Sequence, residues 1–151
     1  MKLSKNLSLS EMLRSESAKR RGICNNPTPE HTHNMIELAN KIFQPIRDYF
    51  KRPIYVSSGY RSFLLNEAIG GSLKSQHCKG EAMDIDMDGT SISNSDIFNF
   101  IKNNLDFDQL IWEFGDNKNP SWVHVSYRKS GNRNQVLRAV KRSGSTFYEK
   151  L

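Results

Sequence analysis

A histidine at position 77, an aspartate seven residues later and a histidine at position 124 are the residues of this sequence best placed to act together on one ligand. His77 belongs to the stretch Ser75-Gln76-His77-Cys78-Lys79-Gly80-Glu81-Ala82-Met83-Asp84. Gly80 lets the chain turn inside it. From Ala82 to Met87 the residues alternate, so a strand there carries Ala82, Asp84 and Asp86 on one face and Met83, Ile85 and Met87 on the other. His124 lies in a second alternating run, sharing its face with Trp122 and Ser126, and it is the only histidine after His77. Two neutral imidazoles and a carboxylate are a suitable protein ligand set for a catalytic zinc, whose fourth position stays open for water. The pattern predicts one metal centre on His77, Asp84 and His124. His31 and His33 are two apart on a predicted helix, point to different sides, and are not expected to share a metal.

Ser-x-His-x-x-Gly-x-Ala-x-Asp, followed by Trp122-Val123-His124 in a strand, resembles the D-alanyl-D-alanine carboxypeptidase-type zinc peptidases. That group also holds lysostaphin, the hedgehog signalling domain and phage endolysins. The resemblance extends from Leu9-Ser10-Glu11 through Val56-Ser57-Ser58-Gly59-Tyr60-Arg61-Ser62 to Tyr127. It implies zinc on His77, Asp84 and His124, and a role for Arg61, whose fork of donors would face a carboxylate or a developing oxyanion. It also implies hydrolysis of a peptidoglycan stem peptide, at D-Ala-D-Ala or at an L-Ala-D-amino-acid bond. Related peptidases carry an acid a few residues before the last histidine ligand, and the third residue before His124 is Ser121.

Glu113 is therefore the expected general base, because an antiparallel partner of the Trp122 to Tyr127 run would bring it beside His124. Asp116 is its reserve, and Asp86 is expected to accept from a histidine and fix its tautomer. A zinc-bearing binding or virion structural module without catalysis is the rival reading. Glu113 and Arg61 weigh against it.

The elements that must position these residues are legible in outline. Ser8 and Glu11 have capping-box spacing for a helical stretch that Gly22 ends, so residues 1–22 read as an N-terminal docking arm. Thr28-Pro29-Glu30 starts a second helix, with Met35, Leu38, Ile42, Ile46 and Phe50 as its apolar stripe and a kink expected near Gln44, because Pro45 has no N–H for the ladder. Pro53 to Ser57 reads as a strand and Phe63 to Ile69 as a helix closed by Gly70-Gly71. Asn94 or Ser95 caps a helix through Leu105. Gln109 to Phe114 and Trp122 to Tyr127 form an antiparallel pair. Val136 to Lys141 and Thr146 to Tyr148 read as a last strand pair, with a helix over 136–140 as the alternative.

The 151 residues suit one domain, expected to be α+β, with a small, mostly antiparallel sheet carrying the zinc on one face and helices on the other, like the D-Ala-D-Ala peptidases and hedgehog domain. No apolar run approaches the roughly 20 residues a membrane helix needs, and Met1 to Leu13 has no signal-peptide pattern. The chain is thus expected to be made in the cytoplasm and to reach the wall after release by a phage or prophage, or within a virion. Cys24 and Cys78 are too separate for a C-x-x-C motif, and reduced thiols are expected. A net charge of +6 favours polyanions, including anionic cell-wall polymers, and its clusters are expected on solvated faces. Nucleic acid is not expected as a partner, since no recognition motif accompanies the charge.

Overall fold

The computed structural model describes residues 1–151. A short hairpin, β1 (Lys2–Ser4) with β2 (Leu7–Ser8), opens the chain. The capping box of Ser8 and Glu11 starts α1 (Leu9–Leu13), but the predicted single helical stretch is two helices. Ser15 caps a separate α2 (Glu16–Arg21), which Gly22 closes at φ 64°. Leu3, Leu7 and Met12 are buried in the main core, so residues 1–22 form part of the packed body.

Thr28 caps α3 (Pro29–Leu38), and α4 (Gln44–Phe50) follows with Pro45 in its first turn. The expected break takes the form of a π turn over Ala39–Phe43, where the Gln44 amide donates back to the Ala39 carbonyl. This turn precedes the proline, whose missing N–H leaves a gap in the ladder. Met35, Leu38, Ile42 and Ile46 are fully buried across the break. β3 (Val56–Ser58) is shorter and later than predicted, and α5 (Phe63–Ala68) is capped by Ser62. A 3-10 turn (Gln76–Lys79) leads into β4 (Ala82–Ile85), so Asp86 lies just past the strand. Ser93, rather than Asn94 or Ser95, caps α6 (Asn94–Asn104), forming a capping box with Asp96. The remaining strands are β5 (Gln109–Glu113), β6 (Trp122–Ser126), β7 (Gln135–Arg142) and β8 (Ser145–Lys150); the alternative helix over 136–140 is not formed.

These strands make a six-stranded sheet in the order β3-β4-β6-β5-β7-β8. All pairings are antiparallel except β5 with β7, so the sheet is mixed. The parallel pair needs no crossover helix. Antiparallel β6 returns the chain to the start of β5, and the next residues join β5 on its other side, with the Asn134 and Gln135 amides donating to the Phe107 and Asp108 carbonyls. One sheet face, bearing Met83, Ile85, Leu110, Trp112, Val123 and Val125, packs in the core with Met35, Ile42, Ile97 and Phe98. Each fully buried apolar side chain contributes about 1.5–3 kcal/mol. Met83 and Ile85 thus help offset the cost of burying a carboxylate between them, which runs to several kcal/mol for an unpaired ion. No helix is long and apolar enough to cross a membrane.

Candidate metal centre

Alternation from Met83 and Ile85, which face the helices, puts Asp84 on the opposite face of β4. Asp84 and His124 are direct cross-strand partners, and the 3-10 turn lowers His77 onto them from the side. Asp84 Oδ1 is 3.0 Å from His124 Nδ1 and 3.3 Å from His77 Nε2. The three donor atoms lie within 4.8 Å of one another, and His77 and Asp84 are buried. A tetrahedral ion with bonds of about 2.0–2.1 Å separates its ligand atoms by about 3.3 Å, so the spacing fits a metal of zinc's size.

The tautomer fits as well. His77 Nδ1 donates to the Gly59 carbonyl at 2.7 Å, which leaves the lone pair of Nε2 facing Asp84. Burial pushes the His77 imidazolium below its ordinary pKa, against the pull of Asp84, and this favours the neutral, ligating form. Burial alone would raise the Asp84 carboxyl; the charge and hydrogen bonds that His77 and His124 offer it when protonated, with no metal present, outweigh burial and hold the group well below the usual carboxylate range. Such a donor set is anionic and ready for a cation. Gly59 itself is required where it stands, since an added Cβ would lie 2.5 Å from the Met12 carbonyl oxygen. Gly80, at φ 73°, makes the turn between His77 and Asp84 where a Cβ would meet the His31 carbonyl.

Arg61 reaches the cluster as well. Its Nε donates to Ser58 Oγ at 3.1 Å, Nη1 donates to Asn66 Oδ1 at 3.2 Å, and Nη2 lies 3.5 Å from Asp84 Oδ2. The fork thus braces the aspartate through an ion pair, while two of its five N–H groups are taken up by Ser58 and Asn66. Asp86 does not touch a histidine; it accepts from Asn94 Nδ2 and the Asp88 amide. The Gly59 carbonyl takes the place expected for Asp86. Its only trace in the sequence is a glycine in the Gly-Tyr-Arg stretch, because a main-chain acceptor has no side-chain signature. Asp116 is exposed and accepts from the Lys118 and Asn119 amides, which holds a turn together and leaves it outside the cluster. His31 completes the capping box that Thr28 opens, with Nδ1 accepting from the Thr28 amide. Both cysteines are free.

Glu113 pairs with Trp122 and Ile111 with His124, so all four share the metal-facing side of the sheet. Burial pushes the Glu113 carboxyl up to about 7; His124 and Arg61 pull it down and Asp84 pushes it up, and neither pull offsets the burial. A carboxylate with this pKa near neutrality is suited to take and return a proton.

The same shift makes a stability prediction. Because the folded pKa lies above the ordinary value of 4.5, the native state binds a proton that the unfolded chain has released, and stability falls as pH rises between the two values. In chelator, the wild type should lose about 2–3 kcal/mol relative to Glu113→Gln between pH 5 and pH 8. Urea titrations of both proteins check this, and a pH-independent difference would refute it.

The cluster lies in an open groove of about 960 Å3, lined also by Gln76, Glu113, Trp122, Arg128 and Tyr148. Arg133 is exposed, in keeping with basic clusters on solvated faces, yet its guanidinium makes two hydrogen bonds to the fully buried Asp108 and lines this groove. Among curated proteins no relative matches the chain. A family model described as Peptidase M15 matches residues 5–126, which takes in His77, Asp84, Glu113 and His124 and ends with β6. With that match over most of its length, the chain belongs to the peptidase M15 family, the D-alanyl-D-alanine carboxypeptidase type of zinc peptidase.

Proposed function

We propose that this protein is a zinc-dependent metallopeptidase that hydrolyses a peptide bond in peptidoglycan stem peptides, as a D-Ala-D-Ala carboxypeptidase or an L-Ala-D-amino-acid endopeptidase. The observation that carries the reading is the convergence of His77 Nε2 and His124 Nδ1 on Asp84 Oδ1, with Glu113 on the same sheet face. His77, Asp84 and His124 would hold the ion. Bound there, zinc would supply Lewis acidity, polarising the scissile carbonyl and making water acidic enough to lose a proton near pH 7.

The chain's own residues do the rest. Glu113 accepts the proton of the attacking water on its carboxylate and returns it to the leaving amine nitrogen, a cycle suited to a group titrating near neutrality. Arg61 keeps Asp84 in place through Nη2 and offers its remaining N–H groups to a substrate oxygen in the groove. The Gly59 carbonyl fixes the His77 ring, and the groove excludes part of the solvent around Glu113, which is 7% exposed.

The net charge of +6 suits an anionic wall polymer, and the role proposed for the protein is that of a phage or prophage lysis protein or a virion component. The test is digestion of purified peptidoglycan. Hydrolysis should vanish with chelator and return with zinc, and mass spectrometry of the released muropeptides should show which bond is cut. Protein fully loaded with zinc that releases no peptide from several wall types would overturn the reading in favour of a binding or structural module.

A further inference from the structure

The groove continues beyond the residues matched by the family. Leu137, Thr146, Tyr148 and Lys150, all from the β7–β8 hairpin, line the same cavity as His77, Asp84 and His124. The register explains how they come to be there. Asp84, His124, Ile111, Leu137 and Lys150 are successive cross-strand partners, and so are Trp122, Glu113, Ala139 and Tyr148. Partners across a ladder share a face, so the hairpin extends the rows of His124 and Glu113 with Lys150 and Tyr148. At about 4.8 Å per strand, the Lys150 backbone lies about 14 Å from that of His124, a distance an extended peptide covers in about four residues. Between them runs an apolar strip of Ile111, Leu137 and Ala139.

The chemistry at the far end is that of an anion receptor. On the hairpin Arg142 is spent on Glu149, whereas Lys150 is exposed and takes part in no ion pair; Lys74, Lys79 and Arg128, likewise without an ion pair, also line the groove. Two residues before it on the same face stands Tyr148, 57% exposed. Burial of part of its ring and the carboxylates of Glu113 and Asp84 push its phenol above the ordinary value, so the hydroxyl keeps its proton and donates. A phenol and an ammonium side by side offer a carboxylate two donors.

We infer that Tyr148 and Lys150 form a substrate subsite that binds a free carboxylate of the peptide a few residues from the bond being cut, and so selects carboxylate-bearing over amidated stem peptides. The inference rests on the peptidase reading above. The carboxylate accepts from Tyr148 Oη–H and Lys150 Nζ–H, while the intervening residues lie over Ile111 and Leu137. The hairpin thereby sets KM and leaves the proton transfers at Glu113 unchanged.

The test uses one purified muropeptide with free carboxylates and its amidated counterpart. Lys150→Met should raise KM about three- to tenfold on the first, with kcat nearly unchanged, and leave the second unaffected; Tyr148→Phe should raise KM about threefold, as for partly exposed charge-assisted bonds. Unchanged KM in both variants overturns the inference, and so does an equal rise on both ligands. Calorimetric binding of the same two ligands to Glu113→Gln, with and without Lys150→Met, should show the same selective loss. A wild type that cleaves neither ligand refutes the peptidase reading alone, since calorimetry still decides whether this end of the groove holds a carboxylate.

Discussion

Glu113→Gln is expected to lower peptidoglycan hydrolysis by about 10²- to 10⁴-fold, the usual contribution of a positioned general base. The amide keeps the size of the side chain and cannot accept the proton. Glu113 lies outside the three-residue cluster, so zinc content, measured by mass spectrometry of the native protein, should stay at the wild-type level. The pair of readouts separates loss of a proton acceptor from loss of the ion. Asp116→Asn, by contrast, should keep its activity, because that carboxylate is engaged by the Lys118 and Asn119 amides. A Glu113→Gln enzyme that kept a tenth or more of its rate would move the base elsewhere.

His77→Ala is expected to remove both the metal and the activity. Loss of a residue that merely supports a ligand costs 10- to 100-fold in affinity, and loss of the ligand itself should weaken zinc binding by more than about 100-fold. Two further effects follow from the geometry. The Gly59 carbonyl loses its donor, and Asp84 loses one of the two imidazoles that compensate its burial. The metal-free variant should therefore be less stable by about 1–3 kcal/mol. Zinc at about a thousand times its dissociation constant should stabilise the wild type by about 4 kcal/mol and the variant hardly at all. Urea midpoints with and without zinc read both quantities. A variant that binds zinc like the wild type would show that His77 is not a ligand.

Much of the centre was readable from residue order alone. Alternation around Asp84 and His124 placed each on the polar side of a strand, and Gly80 marked the turn that brings His77 back to Asp84. The helix starts at Ser8 and Thr28 were equally plain, because a capping hydroxyl acts within three residues of itself. Ser93 was missed although Asp96 stands at capping-box spacing from it, since neighbouring Asn94 and Ser95 present the same chemistry. Two strand–strand relations lay within reach for the same local reason: β5 with β6, which carry Glu113 and His124, and β7 with β8 are each joined by a short connection.

Tertiary structure alone decided the rest. The parallel β5–β7 pair, the Arg61 brace on Asp84 and the Gly59 carbonyl under His77 join segments whose spacing carries no period and whose partners are often main-chain atoms. Residue order determined which side chains face which side of their own element, because a strand repeats every two residues and a helix every 3.6. Which elements then became neighbours was set by the burial of the whole apolar face, a sum over the chain that no local spacing encodes.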